Sequence, residues 1–201
     1  MIVIGTRSSH VFIDLSYLKS ENTKQMEAYA ALVNLGIFEK LAKFGPVLAG
    51  TIPIDIDIGG SDLDIICEMR EPEAFAQILT AEFGFLEGFR ITRSLTDAGI
   101  ALVCNFEFGS WPVEIFAQGR PVVEQNAYKH MVIEHRILEK LGLDFREQVR
   151  LMKRDGLKTE PAFARLLRLD GDPYQTMLEM YDWNDQRLHR FLERKYTSKW
   201  R

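Results

Sequence analysis

Apolar and polar residues recur along this chain in two rhythms, one of helices and one of strands. After Lys24, Met26, Tyr29, Ala30 and Val33 fall at helical spacing. Asn22 followed by Gln25 resembles a capping box at the start of that helix, and Gly36 ends or interrupts it. Phe38, Leu41 and Ala42 add one more helical turn before Gly45-Pro46 breaks the chain. Upstream, Phe12 to Leu18 reads as a short helix or coil. Met1 to His10 reads as a short edge strand or an extension without fixed structure.

The rhythm then changes. Val47 to Gly50 is a short apolar strand, and Asp62 to Cys67 is a second one. Between them, Ile54 to Ile58 alternates apolar and acidic residues. A helix follows from Pro72, with Phe75, Ile78, Leu79 and Phe83 as its buried stripe and Gly84 at its end. Arg90 to Leu95 and Ile100 to Phe108 form two strands around the turn Thr96-Asp97-Ala98-Gly99, and Val113 to Phe116 forms a third. Neighbouring strands that return on themselves predict an α+β fold with a small mixed sheet.

The remainder is helical. Glu124 to Leu141 is the longest pattern, with Ala127, Met131, Leu138 and Leu141 on one side and Gly142 as its cap. Asp144 to Lys153, Pro161 to Leu169, Tyr174 to Tyr181 and Asn184 to Tyr196 follow. The domain boundary is expected near residue 120. It separates an α/β core over 12–120 from a helical domain over 121–201 packed against it.

Composition narrows the functional classes. The chain has 201 residues, 46% of them apolar and 27% charged, enough to bury a real core. Its net charge of -4 carries no global nucleic-acid signature. Arg146, Arg150, Lys153, Arg154 and Lys158 form one local basic cluster, which is either a nucleic-acid patch or a solvated helix face. Cys67 and Cys104 lie in apolar runs and suit buried free thiols in a reducing compartment. No apolar run reaches the roughly 18 residues of a membrane span, so no membrane partner is expected and a cytoplasmic location is the default. Zinc-finger spacing and a Gly-x-x-x-x-Gly-Lys loop are missing from the sequence, and four His alone support no Ser-His-Asp assignment.

The chemistry concentrates in two carboxylates. Asp62 and Asp64 are one residue apart at the start of a strand, so they share a face about 7 Å apart while Leu63 and Ile65 point into a core. Paired carboxylates repel unless a cation lies between them, and a hard cation such as Mg²⁺ takes oxygen ligands. Asp62 as a turn residue and Asp64 as a solvent-facing one is the plainer alternative. Asp55 and Asp57 also share a face and are a rival pair.

The arrangement Gly50-Thr51, a spacer, then Ser61-Asp62-Leu63-Asp64-Ile65 resembles the nucleotidyltransferase superfamily, which has the fold of DNA polymerase beta. The run from Leu48 to Cys67, with Val113-Glu114-Ile115-Phe116 and Gln125-Asn126-Ala127-Tyr128-Lys129-His130, resembles more closely a small bacterial family with no assigned function. That likeness covers roughly Phe12 to Tyr181. The resemblance implies a nucleotidyltransferase-like sheet with flanking helices, Mg²⁺ (or Mn²⁺ in its place) and a nucleoside triphosphate as substrate. The acceptor is a hydroxyl of a small molecule, protein or RNA. It favours Asp62 and Asp64 as metal ligands over Asp55 and Asp57, as does the longer apolar run that anchors them.

A third carboxylate is expected on a later strand. Glu107 and Glu114 compete for that place. Glu114 is preferred because its neighbours Val113 and Ile115 face a core, and because its segment carries the family likeness. The implied catalytic and metal set is therefore Asp62, Asp64 and Glu114. A Glu at the third place departs from the commoner Asp.

Gly50, Thr51 and Ser61 are candidates for phosphate contact, or ordinary turn residues. On the long helix, Asn126, His130 and Glu134 recur at i, i+4 and i+8 as a polar stripe. Lys129 and His130 are candidates for nucleotide or phosphate contact. Asn126, Glu134 and Arg136 are candidates for support or the acceptor side. A buried His130–Glu134 pair and a solvated Lys129 and Arg136 are the structural alternatives. A catalytically silent nucleotide-binding or regulatory module of the same fold is the rival to an enzyme, and metal-dependent phosphate-ester hydrolysis is a third reading.

Overall fold

The computed structural model describes residues 10–196. Of the stretch Met1 to His10, all but His10 lie outside that range. The chain divides into two compact units. A sheet unit comprises Phe12–Pro53 and Gly59–Tyr128, and a helical unit takes Ile54–Ile58 together with the chain from Lys129 onward.

A 3-10 turn, His10–Ile13, comes first; in the sheet unit a second, Leu15–Ser20, precedes helix α1, Thr23–Leu35, and the single turn α2, Ile37–Lys40. Strands β1, Val47–Ala49, and β2, Leu63–Glu68, lead to helix α3, Pro72–Phe83. Strands β3, Arg90–Thr96, β4, Gly99–Phe108, and β5, Trp111–Gln118, complete a five-stranded sheet. Its order is β1-β2-β5-β4-β3. β2 and β5 run parallel, and the other neighbours run antiparallel, so the sheet is mixed as the strand pattern predicts.

Strand alternation explains which side chains reach the core. Leu63, Ile65 and Cys67 of β2, Val113, Ile115 and Ala117 of β5, and Leu102, Cys104 and Phe106 of β4 are buried in one cluster with Phe75, Leu79 and Phe83 of α3. Each fully buried Leu, Ile or Phe in such a cluster contributes about 1.5–3 kcal/mol. Between them, Asp64, Asn105 and Glu114 stand on the other face and are half-buried, and Ile66 on that face is buried. Cys67 and Cys104 are free and buried, and burial pushes both thiols up to about 12.

The Asn22–Gln25 capping box forms as its sequence predicts, with Gln25 N–H donating to Asn22 Oδ1 at 2.9 Å. The buried side of α1 differs from the expected one. Ala28, Leu32 and Leu35 are buried with Gln25, whereas Met26 and Val33 are 42% and 47% exposed. The Gln25 carboxamide decides this, because it donates to the carbonyls of Ile52 and Pro53 at 3.0 and 3.2 Å and turns that face inward.

In the helical unit, helix α4, Asn126–Arg154, begins in the sheet unit and is broken at Gly142, whose backbone (φ 74°, ψ -165°) is not helical. Two helices meeting at Gly142 is the expected pattern. The expected stripe again shifts: Ala127 is exposed, and Met131, Ile133, Ile137 and Leu138 are buried. Helices α5, Thr159–Leu167, α6, Pro173–Tyr181, and α7, Asp185–Tyr196, follow. Phe145 packs edge-on against Phe163 and Tyr196, with ring centroids 5.5 and 5.4 Å apart.

Ile54–Ile58 is not a strand. Ile54 and Ile56 are buried, and Asp55 adopts a left-handed backbone, φ 57°. Three cations of α4 hold this segment. Arg146 donates to the Ile54 carbonyl at 3.0 Å and to Asp55 Oδ2 at 2.9 Å. Arg150 binds the Asp55 carbonyl at 2.6 Å and also Asp55 Oδ1. Lys153 donates to the Ile56 carbonyl at 2.7 Å. The basic cluster is therefore corrected for these three residues: they are neither a solvated face nor a patch left open to nucleic acid, because their side chains are largely buried and turned onto the chain's own carbonyls and Asp55.

Candidate functional site

The site is built where β1, β2, β5 and β4 lie side by side. Ala49, Asp64, Glu114 and Asn105 are successive register partners across those four strands. Adjacent strands are about 4.8 Å apart, so Asp64 and Glu114 stand beside each other on the face away from the core. Asn105 Nδ2 donates to Glu114 Oε2 at 3.0 Å and fixes that carboxylate from the far side.

Gly50 follows β1 with φ 77°, a left-handed backbone that favours glycine. A Cβ built on it would fall inside the Asp64 carboxylate, 3.0 Å from Cγ. The missing side chain at Gly50 thus makes the space in which Asp64 sits. Thr51 and Ser61 are half-buried on either side of the spacer. Asp62 is also half-buried and lies one residue before β2 begins. Glu107 is exposed on β4, two strands from β2, whereas Glu114 is on the strand that pairs directly with β2.

The donor set is hard oxygen throughout. Asp64 and Glu114 form a neighbouring pair. Among the described residues, no group of three or more His, Cys, Asp or Glu side chains is gathered closely enough to hold a metal ion.

Three of the candidates on α4, Lys129, His130 and Arg136, have partners within the chain. Asn126 is exposed. In the helical unit, the Lys129 ammonium lies 5.8 Å from the Tyr181 ring centroid. His130 is buried with Nδ1 3.0 Å from Glu160 Oε1 and Nε2 3.1 Å from the Tyr174 carbonyl. Arg136 donates to the carbonyls of Tyr181 and Trp183 at 3.0 and 2.6 Å and to Asp185 at 3.1 Å, closing the C-terminal end of α6. Glu134 is buried, and its pKa is raised well above the ordinary value by burial and by the charge of Glu160, against the pull of Lys153. At Glu160 burial pushes upward, but the His130 hydrogen bond and nearby positive charge outweigh it and the pKa falls.

A family model described as a domain of unknown function, DUF4269, matches residues 30–180. The chain belongs to the DUF4269 family. The five strands and Asp62, Asp64, Glu107 and Glu114 all lie inside the matched DUF4269 region. This DUF4269 chain is similar to a structure of the Cid1 poly(U) polymerase with bound MgGTP, at 13% identity over 81% of this chain and 53% of that one, with a TM-score of 0.50. It is also similar to Cid1 in complex with its short product ApU, at 16% identity, 85% and 53% coverage and a TM-score of 0.47. A third is the polymerase core of the RNA surveillance complex TRAMP, at 12% identity, 81% and 50% coverage and a TM-score of 0.46. The chain spans about half the length of these structures. At 13% identity, the likeness to the MgGTP-bound polymerase is one of fold alone. No curated protein matches the chain.

Asn105 is the residue that sequence reasoning passed over in the DUF4269 chain. Its only local signal is a polar side chain between Cys104 and Phe106 in an apolar strand. Its partner Glu114 is fixed by the β4–β5 register, which no spacing reveals.

Proposed function

We propose that the sheet unit catalyses Mg²⁺-dependent transfer of a nucleoside monophosphate from a nucleoside triphosphate to a hydroxyl acceptor on a small molecule, protein or RNA. One observation carries this reading: Asp64 and Glu114 are register partners in parallel strands, with Asp64 seated over the bare backbone of Gly50. The shared fold with a Cid1 poly(U) polymerase supports it at the level of fold.

Asp64 and Glu114, which stand side by side, would hold the divalent ion, with Asp62, one residue before β2, as the third carboxylate to be drawn to it; when bound, the ion would supply positive charge against the phosphates. Glu114 takes the proton of the acceptor hydroxyl, and that oxygen forms a bond to the α-phosphorus. The bond from that phosphorus to the oxygen bridging toward the β-phosphate breaks, and pyrophosphate leaves. Backbone N–H groups at Gly50-Thr51, with the hydroxyls of Thr51 and Ser61, donate to the terminal phosphates.

The second reading, a module that binds nucleotide without transferring it, is favoured by the Asn105 hydrogen bond to Glu114 Oε2. If that bond is kept in the nucleotide complex, it occupies part of the would-be base.

The test is calorimetric titration of wild type and an Asp62→Asn, Asp64→Asn double variant with each of the four nucleoside triphosphates and Mg²⁺. Transfer chemistry requires Mg²⁺-dependent binding that the double variant loses. Equal binding by both proteins would move the site elsewhere. Binding that needs Mg²⁺ and is lost in the double variant, with no pyrophosphate released by wild type when hydroxyl acceptors are supplied, would favour the second reading.

A further inference from the structure

We infer that the acceptor lies along β5, β4 and β3, and that Arg90 recognises an anionic group on it, a phosphate or carboxylate. The inference rests on the proposed nucleotidyl transfer and names the substrate class of its second site.

The row through Asp64 and Glu114 does not stop at Asn105. Asn105 is also the register partner of Arg90, on the edge strand β3. Register partners in a sheet project from the same face. Asp64, Glu114, Asn105 and Arg90 therefore occupy one face on four consecutive strands, and charge changes sign along them.

Arg90 differs from its neighbours. Among the described residues of the sheet unit, Arg70, Arg93 and Arg120 each bind a carboxylate, those of Glu68, Glu73 and Asp97. Arg90 is exposed and makes no hydrogen bond or ion pair with another described residue. Its guanidinium keeps a planar fork of donors, which suits the paired oxygens of a phosphate or carboxylate.

The direction of the reaction assigns that fork to the acceptor. In-line displacement puts the entering oxygen and the leaving pyrophosphate on opposite sides of the phosphorus. Gly50-Thr51 and Ser61, the proposed phosphate donors, flank β1 and β2. The entering hydroxyl then comes to Glu114 from the side of β4 and β3. Two strand spacings separate Glu114 from Arg90, about 10 Å between their backbones. An acceptor with its anionic group a few bonds from the reacting hydroxyl spans that interval.

The probe is ribose 5-phosphate, with ribose as its neutral control. Both are titrated into the full chain by NMR with Mg²⁺ and the non-transferring analogue α,β-imido-ATP present. Wild type is expected to bind ribose 5-phosphate about ten-fold more tightly than ribose, the scale of one charge-assisted bidentate contact. Arg90→Ala should lose that preference while its affinity for the imido analogue is unchanged, and Arg90→Lys should keep part of it. No preference in wild type, or the same preference in Arg90→Ala, would overturn the inference while nucleotide binding still stood. An Arg90-dependent preference without binding of the imido analogue would leave an anion site but overturn its role as an acceptor site and the transfer reading beneath it.

Discussion

At Gly50 a single hydrogen atom decides whether Asp64 can occupy its place. Any Cβ there meets the Asp64 carboxylate, and the left-handed backbone penalises it independently. Gly50→Ala is expected to lower stability by about 1–3 kcal/mol and to abolish Mg²⁺-dependent triphosphate binding. Denaturant unfolding and calorimetry read the two effects separately. A variant that loses stability but binds as wild type would remove Asp64 from the site. Gly50 and Asp64, which lie against each other, both fall in the one short stretch that the sequence singles out. Glu114 is legible only as one of two candidates, and the β2–β5 pairing separates it from Glu107.

Among the elements, the spacer Ile54–Ile58 shows how an alternating pattern can mislead. Its apolar residues are buried, but Asp55 is bent into a left-handed turn and held by Arg146 and Arg150. Those guanidinium groups have side chains only 13% and 17% exposed, so removing their shared carboxylate leaves two poorly hydrated charges. Asp55→Ala is expected to cost about 2–4 kcal/mol in denaturant unfolding. A loss no larger than that of an exposed Asp would show that the carbonyl contacts alone hold the spacer. Sequence periodicity identifies α1 and α4 as helices but misplaces their buried faces, because Gln25 and His130 are polar residues that go inside with specific partners.

For the molecule as a whole, two carboxylates of the helical unit, Glu134 and Glu160, make stability depend on pH in opposite directions. The folded-state pKa of Glu134 lies above its ordinary value of 4.5. The unfolded chain therefore releases that proton first as pH rises. Its stabilising contribution is complete below 4.5 and is lost as pH climbs through the folded value. Glu160 works the other way: its pKa is lowered, so its contribution is present above the ordinary value and lost as pH falls through the folded one. Glu134→Gln should therefore gain in melting temperature over wild type as pH is raised from 4.5 into the neutral range. A pH-independent difference would mean that Glu134 does not release its proton in this way.

Local pattern was enough to specify the α+β class, the order of strands and helices and the break at Gly142, all of which depend on residues near one another in sequence. No helix among the described residues is long and apolar enough to cross a membrane, as the short apolar runs also indicate. Tertiary structure alone decided that Asn105 holds Glu114, that Arg146, Arg150 and Lys153 grip a spacer some ninety residues away, and that His130 meets Glu160 rather than Glu134. The reason is physical: a side chain's period fixes the face it occupies, whereas its partner is fixed by strand register and by which buried polar group needs a counter-charge.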